Sequence, residues 1–261
     1  MTTRALVTND DGIDSPGLWA LARTAHDLGL EVVVASPAWD SSGASASITA
    51  VQDDGRLLFE RRRHDDLPSV DAFAVQAPPA FIAATAAKGA FGPPPAIVLS
   101  GINTGANTGQ AILHSGTVGA ALTAFTYGCR TMAVSLAADG APPWHWETAA
   151  GVARTALALV VGQGSPMILN VNIPNVPPSE LRGFRPARLA QFGLVQTNIT
   201  EVGKGWVKVG YQPVEEAPAP GTDMARLAEG YACFTALRTV CEADVDTSGL
   251  EDMGATTQTV P

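Results

Sequence analysis

Positive charge is scarce in this chain. Its 16 lysines and arginines face 25 aspartates and glutamates, a formal net charge of −9 over 261 residues. A surface of that sign offers no attraction for a nucleic acid polymer or an anionic membrane, although a bound cation can still invert the field of one small site. Cysteine is scarce too. Cys129, Cys233 and Cys241 stand far apart, without the paired spacing of a zinc site, and read as free thiols in a reducing compartment. No apolar run approaches the ~20 residues a membrane helix needs. Arg4 and an acidic cluster interrupt any apolar stretch at the start, so no signal peptide is expected there. A cytoplasmic protein that binds neither membrane nor nucleic acid polymer is the expectation. Of the four histidines, His26 lies on a helix without a partner and His64 in a mixed charge run, and neither makes a convincing ligand.

What is present is apolar residue in periodic runs, 46% hydrophobic against 16% charged, enough for one large globular domain. Ala5–Val7, Glu31–Ala35, Ala72–Gln76, Ala96–Ser100, Thr131–Leu136 and Met167–Asn172 read as buried strands. Helical spacing falls between them: Leu18, Leu21, Ala22, Ala25 and Leu28; Pro79 to Ala90; Gly116 to Tyr127; and a helix from the Trp144-His-Trp-Glu147 segment to about Val161, whose tryptophans read as packing anchors. Strand, helix, strand within about thirty residues is a right-handed βαβ unit with a parallel sheet. The fold class expected is therefore α/β: a three-layer α/β/α Rossmann-like, mostly parallel sheet. Val51–Phe59 reads as a further strand, and Glu60–Asp66 as a solvated surface loop. Beyond Arg182, residues 197–202 and 206–211 form a β-hairpin around Gly203-Lys-Gly205 that should pack against something, since a lone hairpin is marginal in water. Residues 232–237 read as a last strand, and the tail from Glu242 as polar and loose. Residues 1–190 form the α/β core, and 191–261 the hairpin and C-terminal segment of the same domain.

Chemistry collects in the loops after the strands, where open α/β sheets bind ligands. The first strand ends in Asn9-Asp10-Asp11-Gly12. Adjacent carboxylates repel and favour a cation, yet Asn, Asp and Gly are also the ordinary residues of a turn, and both readings stand on those residues alone. The second strand ends in Ser36 to Ser47, the central one in Gly101-Ile-Asn-Thr-Gly-Ala-Asn-Thr-Gly109. Glycines at 101, 105 and 109 do not match the dinucleotide fingerprint, and the first turn is Asp-Asp-Gly, which argues against a nucleotide-cofactor oxidoreductase. Ser115 suits an N-cap, and the helix N-terminus behind it is either an ordinary capped end or an anion site.

Four segments together resemble the SurE family of metal-dependent survival-protein nucleotidases (5′/3′-nucleotidase, acid phosphatase). They are Thr8-Asn-Asp-Asp-Gly12 with Ser15-Pro-Gly17, Ser42-Gly-Ala-Ser45, Ser100-Gly-Ile-Asn-Thr-Gly-Ala-Asn107 and Ser115-Gly-Thr-Val118. Weaker matches are Ala133–Ser135, Asn170–Pro174 and Gly221–Asp223. The resemblance implies a SurE-like fold and one divalent ion per subunit on Asp10, Asp11, Ser42 and Asn103. That all-oxygen set suits Mg²⁺ or Mn²⁺, with Ca²⁺ also compatible. It also implies, with the helix N-terminus, a phosphate held by Asn9, Asn107, Ser115, Gly116 and Thr117. The implied reaction is hydrolysis of a small phosphorylated substrate, a nucleoside monophosphate or a related metabolite, with Asp10 and Asp11 catalytic. Attack by water and attack by an aspartate both remain open. The family forms dimers and often tetramers, so a homodimer or homotetramer through residues 197–211 and the C-terminal segment is implied.

Three positions depart from the family pattern. Gln76-Ala-Pro-Pro-Ala-Phe81 replaces the usual Gly-Thr-Pro-x-Asp-Cys, His114 stands for a tyrosine, and Thr123-Ala124 for Glu-Gly. Lost hydrogen-bonding groups beside a pocket alter selectivity more readily than chemistry. A phosphatase of specialised metabolism, or a non-catalytic protein that keeps the pocket, are the alternatives this raises. His114 reads either as a pocket wall or as a general acid for the leaving group.

Overall fold

A computed structural model describes residues 2–50, 52–138, 142–191, 195–213 and 217–242. Its first third alternates as expected: β1 (Arg4–Thr8), α1 (Pro16–Asp27) and β2 (Glu31–Pro37). Two short strands follow, β3 (Gln52–Asp53) and β4 (Arg56–Leu57), then β5 (Phe59–Arg62) and β6 (Asp71–Val75). The middle of the chain is α2 (Pro79–Ala86), β7 (Ile97–Thr104), a 3-10 turn over Gly109–His114, α3 (Gly116–Thr126) and β8 (Arg130–Ala137). Then come α4 (Trp146–Gly162), β9 (Ile168–Pro174), β10 (Phe184–Pro186), β11 (Val195–Gly203), β12 (Trp206–Pro213), α5 (Asp223–Ala228) and β13 (Ala232–Leu237).

Nine strands make one sheet in the order β10-β13-β9-β8-β7-β1-β2-β6-β5. From β9 to β6 every neighbour pair is parallel, while β5 runs antiparallel to β6 at one edge and β13 antiparallel to β9 near the other. Side chains alternate across this sheet. Ala5, Val7, Val32, Val34, Ile97 and Leu99 pack with Leu18, Leu21 and Ala22 of α1 and Val152, Ala153 and Leu157 of α4. Leu6, Val33, Ala35 and Val98 pack on the other face with Ile82 and Ala83 of α2 and Ala120 and Ala124 of α3. Helices on both faces bury both faces, which is why the strands read as continuous apolar runs. Trp144 and Trp146 lie against the first of these clusters, as packing anchors. Helix α1 sits close on β7 because residue 17 is glycine: a Cβ there would lie 2.0 Å from the Ile102 carbonyl oxygen.

Two stretches differ from expectation. The single strand expected over 51–59 is divided, because Asp54 and Gly55 both take positive φ (53° and 74°) and turn β3 back on β4. That Asp-Gly pair is the residue signature of a tight hairpin turn. The charged stretch expected to be a loop instead supplies most of β5, whose Glu60, Arg61 and Arg62 side chains are exposed. Charge on an outer strand deters pairing with another chain, so an edge strand and a solvated charge run share one sequence pattern. β10 was not expected, whereas β13 falls where it was.

The hairpin is β11–β12, with a bulge between Ile199 and Glu201. Ile199, Val202, Trp206, Val207 and Val209 are all exposed on it. The packing expected for a hairpin that is marginal alone does not cover these five side chains among the described residues. Most of the tail, from residue 243, lies outside the described residues.

Candidate active site

Strand order decides where the site lies. The chain leaves β1 toward β2 on one side and later places β7 on the other, so the connections diverge at the β1–β7 boundary. Such a switch point opens a crevice at the strands' carboxyl ends. Asn9, Asp10 and Asp11 follow β1 into it, and Asn103 and Thr104 end β7 beside them. The Asp11 Oδ2 accepts the Thr104 backbone N–H at 3.1 Å, joining the two strand ends directly.

Asn9 is fully buried. Its Oδ1 accepts the Gly12 amide at 3.2 Å and the Ser36 hydroxyl, and so shapes the turn; its Nδ2 is buried without a partner. Asp10 is 3% exposed, and its Oδ1 accepts the Thr117 hydroxyl from the first turn of α3. Residue 116 has to be glycine, since a Cβ would come within 2.8 Å of Asp10 Oδ2 and 2.9 Å of its Cβ. The α3 N-terminus is thus set directly against Asp10. The Asp10 carbonyl accepts the Ser41 amide at 2.7 Å, which moors the loop after β2 to the same place.

Burial raises the proton affinity of both carboxyls. Asp10 is pushed up from 3.8 chiefly by desolvation, against which the hydroxyl and amide of Thr117 act. Asp11 rises to about 6, again through desolvation, with the Thr104 amide opposing and the charges of Asp10 and Asp40 adding. Among the described residues no arginine, lysine or histidine pairs with either carboxylate. Nor do three His, Cys, Asp or Glu side chains there group as a metal cage, so the oxygen set depends on its neutral members. Those members fit a hard cation. The Asn103 Nδ2 donates to the Gly105 carbonyl at 2.7 Å, which leaves the Asn103 carbonyl oxygen as its open end. Ser42, exposed on the loop after β2, donates its hydroxyl to Asp40 at 2.6 Å and so keeps oxygen lone pairs free.

The remaining expected residues fall into three situations. Ser115 is the N-cap of α3 and accepts the Val118 amide at 3.0 Å, so its hydroxyl is engaged in the cap. Asn107 is held inside a polar cluster: its Nδ2 donates to Ser135 at 2.8 Å, and its backbone is bonded by Asn170 and Asn172. His114 is exposed at the end of the 3-10 turn, and its side chain makes no hydrogen bond or ion pair among the described residues. In the departing segment, Ala77, Pro78, Pro79 and Ala80 are buried and α2 begins at Pro79.

Sequence reasoning left some structural members of the site without roles. Asp223 is fully buried, accepting the Gly109 amide at 2.8 Å and the Ala190 and Met224 amides at 2.9 Å each. It fixes the start of the 3-10 turn that delivers Ser115 and Gly116. The polar residues Asn170 and Asn172, two apart on a strand that is otherwise apolar, were the signal for the cluster around Asn107. Thr104 lies inside one of the motifs but was given no role, and Asp40 carried no signal beyond proximity to Ser42.

An open, mostly parallel sheet with a desolvated carboxylate pair at its switch point, faced by a helix N-terminus, defines an α/β protein with a polar crevice at the carboxyl ends of its strands. The family model for Survival protein SurE matches residues 5–195, and the chain belongs to that family. A 5'-nucleotidase SurE of Stenotrophomonas maltophilia (strain R551-3) is 34% identical over 240 residues, covering 90% of this chain and 89% of that protein. One from Marinobacter nauticus is 37% identical over 241 residues, covering 89% and 88%. The crystal structure of the Sure protein from Aquifex aeolicus superposes with a TM-score of 0.73 at 27% identity, over 96% of this chain and 99% of that one.

Proposed function

We propose that this chain is a divalent-metal-dependent phosphomonoesterase that hydrolyses a nucleoside monophosphate, or a related small phosphorylated metabolite, to an alcohol and inorganic phosphate. The observation that carries this is the pair Asp10 and Asp11, desolvated side by side, without a cationic partner among the described residues, against the N-terminus of α3. Two such carboxylates are costly in a protein that puts nothing positive between them. Asp10, Asp11, Ser42 and Asn103 would hold one Mg²⁺ or Mn²⁺ ion. Such an ion, when bound, neutralises phosphoryl charge and makes water a stronger nucleophile at neutral pH.

The chain's own groups supply the rest. The α3 N-terminus at Gly116 and Thr117 is favourable to an anion, because the first amides of a helix lack intrahelical acceptors. The Nδ2 of Asn9, the residue before Asp10, is a buried donor without a partner. Thr117 and Ser115 organise this corner through Asp10 and the cap, and Asn107 is held to Ser135 of β8. Water attacks phosphorus as the ester P–O bond breaks, and the departing alkoxide takes up a proton. The exposed surroundings of His114 give no support for it as the proton donor.

The relatives named 5'-nucleotidase support a nucleotide substrate. The buried Ala77–Ala80 run, preceded in sequence by Gln76, supports a different phosphorylated metabolite, since the hydroxyl and carboxylate usual there are absent. No described helix is long and apolar enough to cross a membrane, and the free thiols Cys129 and Cys233 suit the reducing cytoplasm. The exposed apolar side chains of β11–β12 support a homodimer or homotetramer through residues 197–211 and the C-terminal segment. Hydrolysis of p-nitrophenyl phosphate by EDTA-treated protein tests the main reading. Turnover should return with Mn²⁺ or Mg²⁺; no turnover with either ion, or turnover indifferent to EDTA, refutes it.

A further inference from the structure

Asp40 is a third carboxylate at the same crevice. Its Oδ1 accepts two hydrogen bonds from one residue: the Ser42 backbone N–H at 2.9 Å and the Ser42 hydroxyl at 2.6 Å. The first closes a local turn and the second fixes the Ser42 side chain within that turn. The loop itself is not free to drift. Ser41 donates its amide at 2.7 Å and its hydroxyl at 3.2 Å to the Asp10 carbonyl. Gly12 brings the first loop so near the Trp39 backbone that a Cβ there would meet its carbonyl at 3.2 Å. Asp40 therefore stands at a set place relative to Asp10, and its charge bears on both Asp10 and Asp11. Among the described residues it has no ion-pair partner.

A serine hydroxyl is a poor ligand for a hard cation unless its proton is directed elsewhere, because the proton and the cation compete for the same oxygen's surroundings. A carboxylate that accepts that proton removes the competition, turns the lone pairs outward and makes the oxygen more basic. Partners of this kind orient ligands in metal sites generally, and their loss weakens metal binding about 10- to 100-fold. We infer that Asp40 is the positioning residue of the metal site, holding the Ser42 hydroxyl by its proton so that the oxygen faces the cation. This rests on the metal-dependent reading given above and assigns a role to a residue that this reading does not use.

Mn²⁺ binding to the metal-free full chain, followed by electron paramagnetic resonance of the free ion, reads this without reference to turnover. Asp40→Ala should weaken Mn²⁺ binding about 10- to 100-fold. Asp40→Asn keeps a hydrogen-bond acceptor in place of Oδ1 and should recover much of the loss. In a Ser42→Ala background the Asp40→Ala change should cost little more, because the two act as one unit. Asp40 is exposed, and unchanged thermal unfolding of the metal-free variants would show that they fold. Asp40→Ala binding within about twofold of the parent overturns the assignment, as does an equal loss with and without Ser42, which would make Asp40 an independent charge or ligand. Absence of Mn²⁺ binding by the parent chain overturns the metal-dependent reading itself, and so is distinguishable from failure of the role of Asp40 alone.

Discussion

Replacing Asp11 by asparagine should stabilise the metal-free protein. The Asp11 carboxyl has its pKa raised from 3.8 to about 6, so the folded state holds the proton more tightly than the unfolded chain does. Well below pH 3.8 both states are protonated and Asp11 costs nothing. As pH rises from 4 to 6 the unfolded chain releases its proton first, so stability falls through that window and stays lower above it. The difference between 3.8 and about 6 corresponds to about 3 kcal/mol. For a chain of this size that is on the order of 10 °C in melting temperature. Asparagine keeps an oxygen for the Thr104 amide and carries no charge, so the penalty disappears while the contact between β1 and β7 persists. The assay is thermal unfolding of parent and Asp11→Asn proteins in EDTA from pH 4 to 8. The variant should melt higher above pH 6 and at about the same temperature as the parent near pH 4. Mn²⁺ should then raise the parent and leave the variant nearly unmoved. A parent that melts as high as Asp11→Asn in EDTA at pH 7 would refute the reasoning, because the desolvation of Asp11 would then cost nothing.

Asp10→Asn should abolish phosphatase turnover with the fold intact by circular dichroism; turnover near the parent's with added Mn²⁺ would remove Asp10 from the chemistry. Gly116→Ala forces a Cβ to within 2.8 Å of Asp10 Oδ2, so the α3 N-terminus must shift; kcat should fall by about 100-fold or more while melting drops by only a few degrees. Asp223→Ala leaves the amides of Gly109, Ala190 and Met224 buried without an acceptor and should cost about 3 kcal/mol or more, measured by urea unfolding. Water attack predicts no acid-stable or trappable aspartyl phosphate; recovery of a hydroxylamine- or borohydride-sensitive adduct at Asp10 or Asp11 would instead establish covalent catalysis.

Most of the parallel framework was legible because it is written locally. A buried parallel strand has to be apolar on both faces, and a crossover helix has to show one apolar stripe. Ala5–Val7, Glu31–Ala35 and Thr131–Leu136 announce themselves on that account. The errors fell where local patterns are shared. A charged edge strand resembles a loop, as at β5, and a short hairpin inside an apolar stretch resembles one strand, as at Asp54-Gly55. The exposed apolar face of β11–β12 shows the opposite limit, since β alternation indicates a strand without saying what covers it.

The site divides along the same line. The sequence by itself determined that Asn9, Asp10 and Asp11 end a strand, that Ser115 caps a helix, and that the polar groups collect after strands and not before them. These depend on neighbours within a few residues, and local sterics and hydrogen bonding suffice. Only the tertiary structure decided that β7 lies beside β1, so that Thr104 meets Asp11, that Gly116 closes on Asp10, and that Asp223 reaches back to hold Gly109. Each joins residues far apart in the chain, and the choice of neighbours is set by the packing of the whole sheet and its helices. The raised proton affinity of Asp10 and Asp11 belongs there too, because burial is a property of the completed fold and not of two adjacent letters.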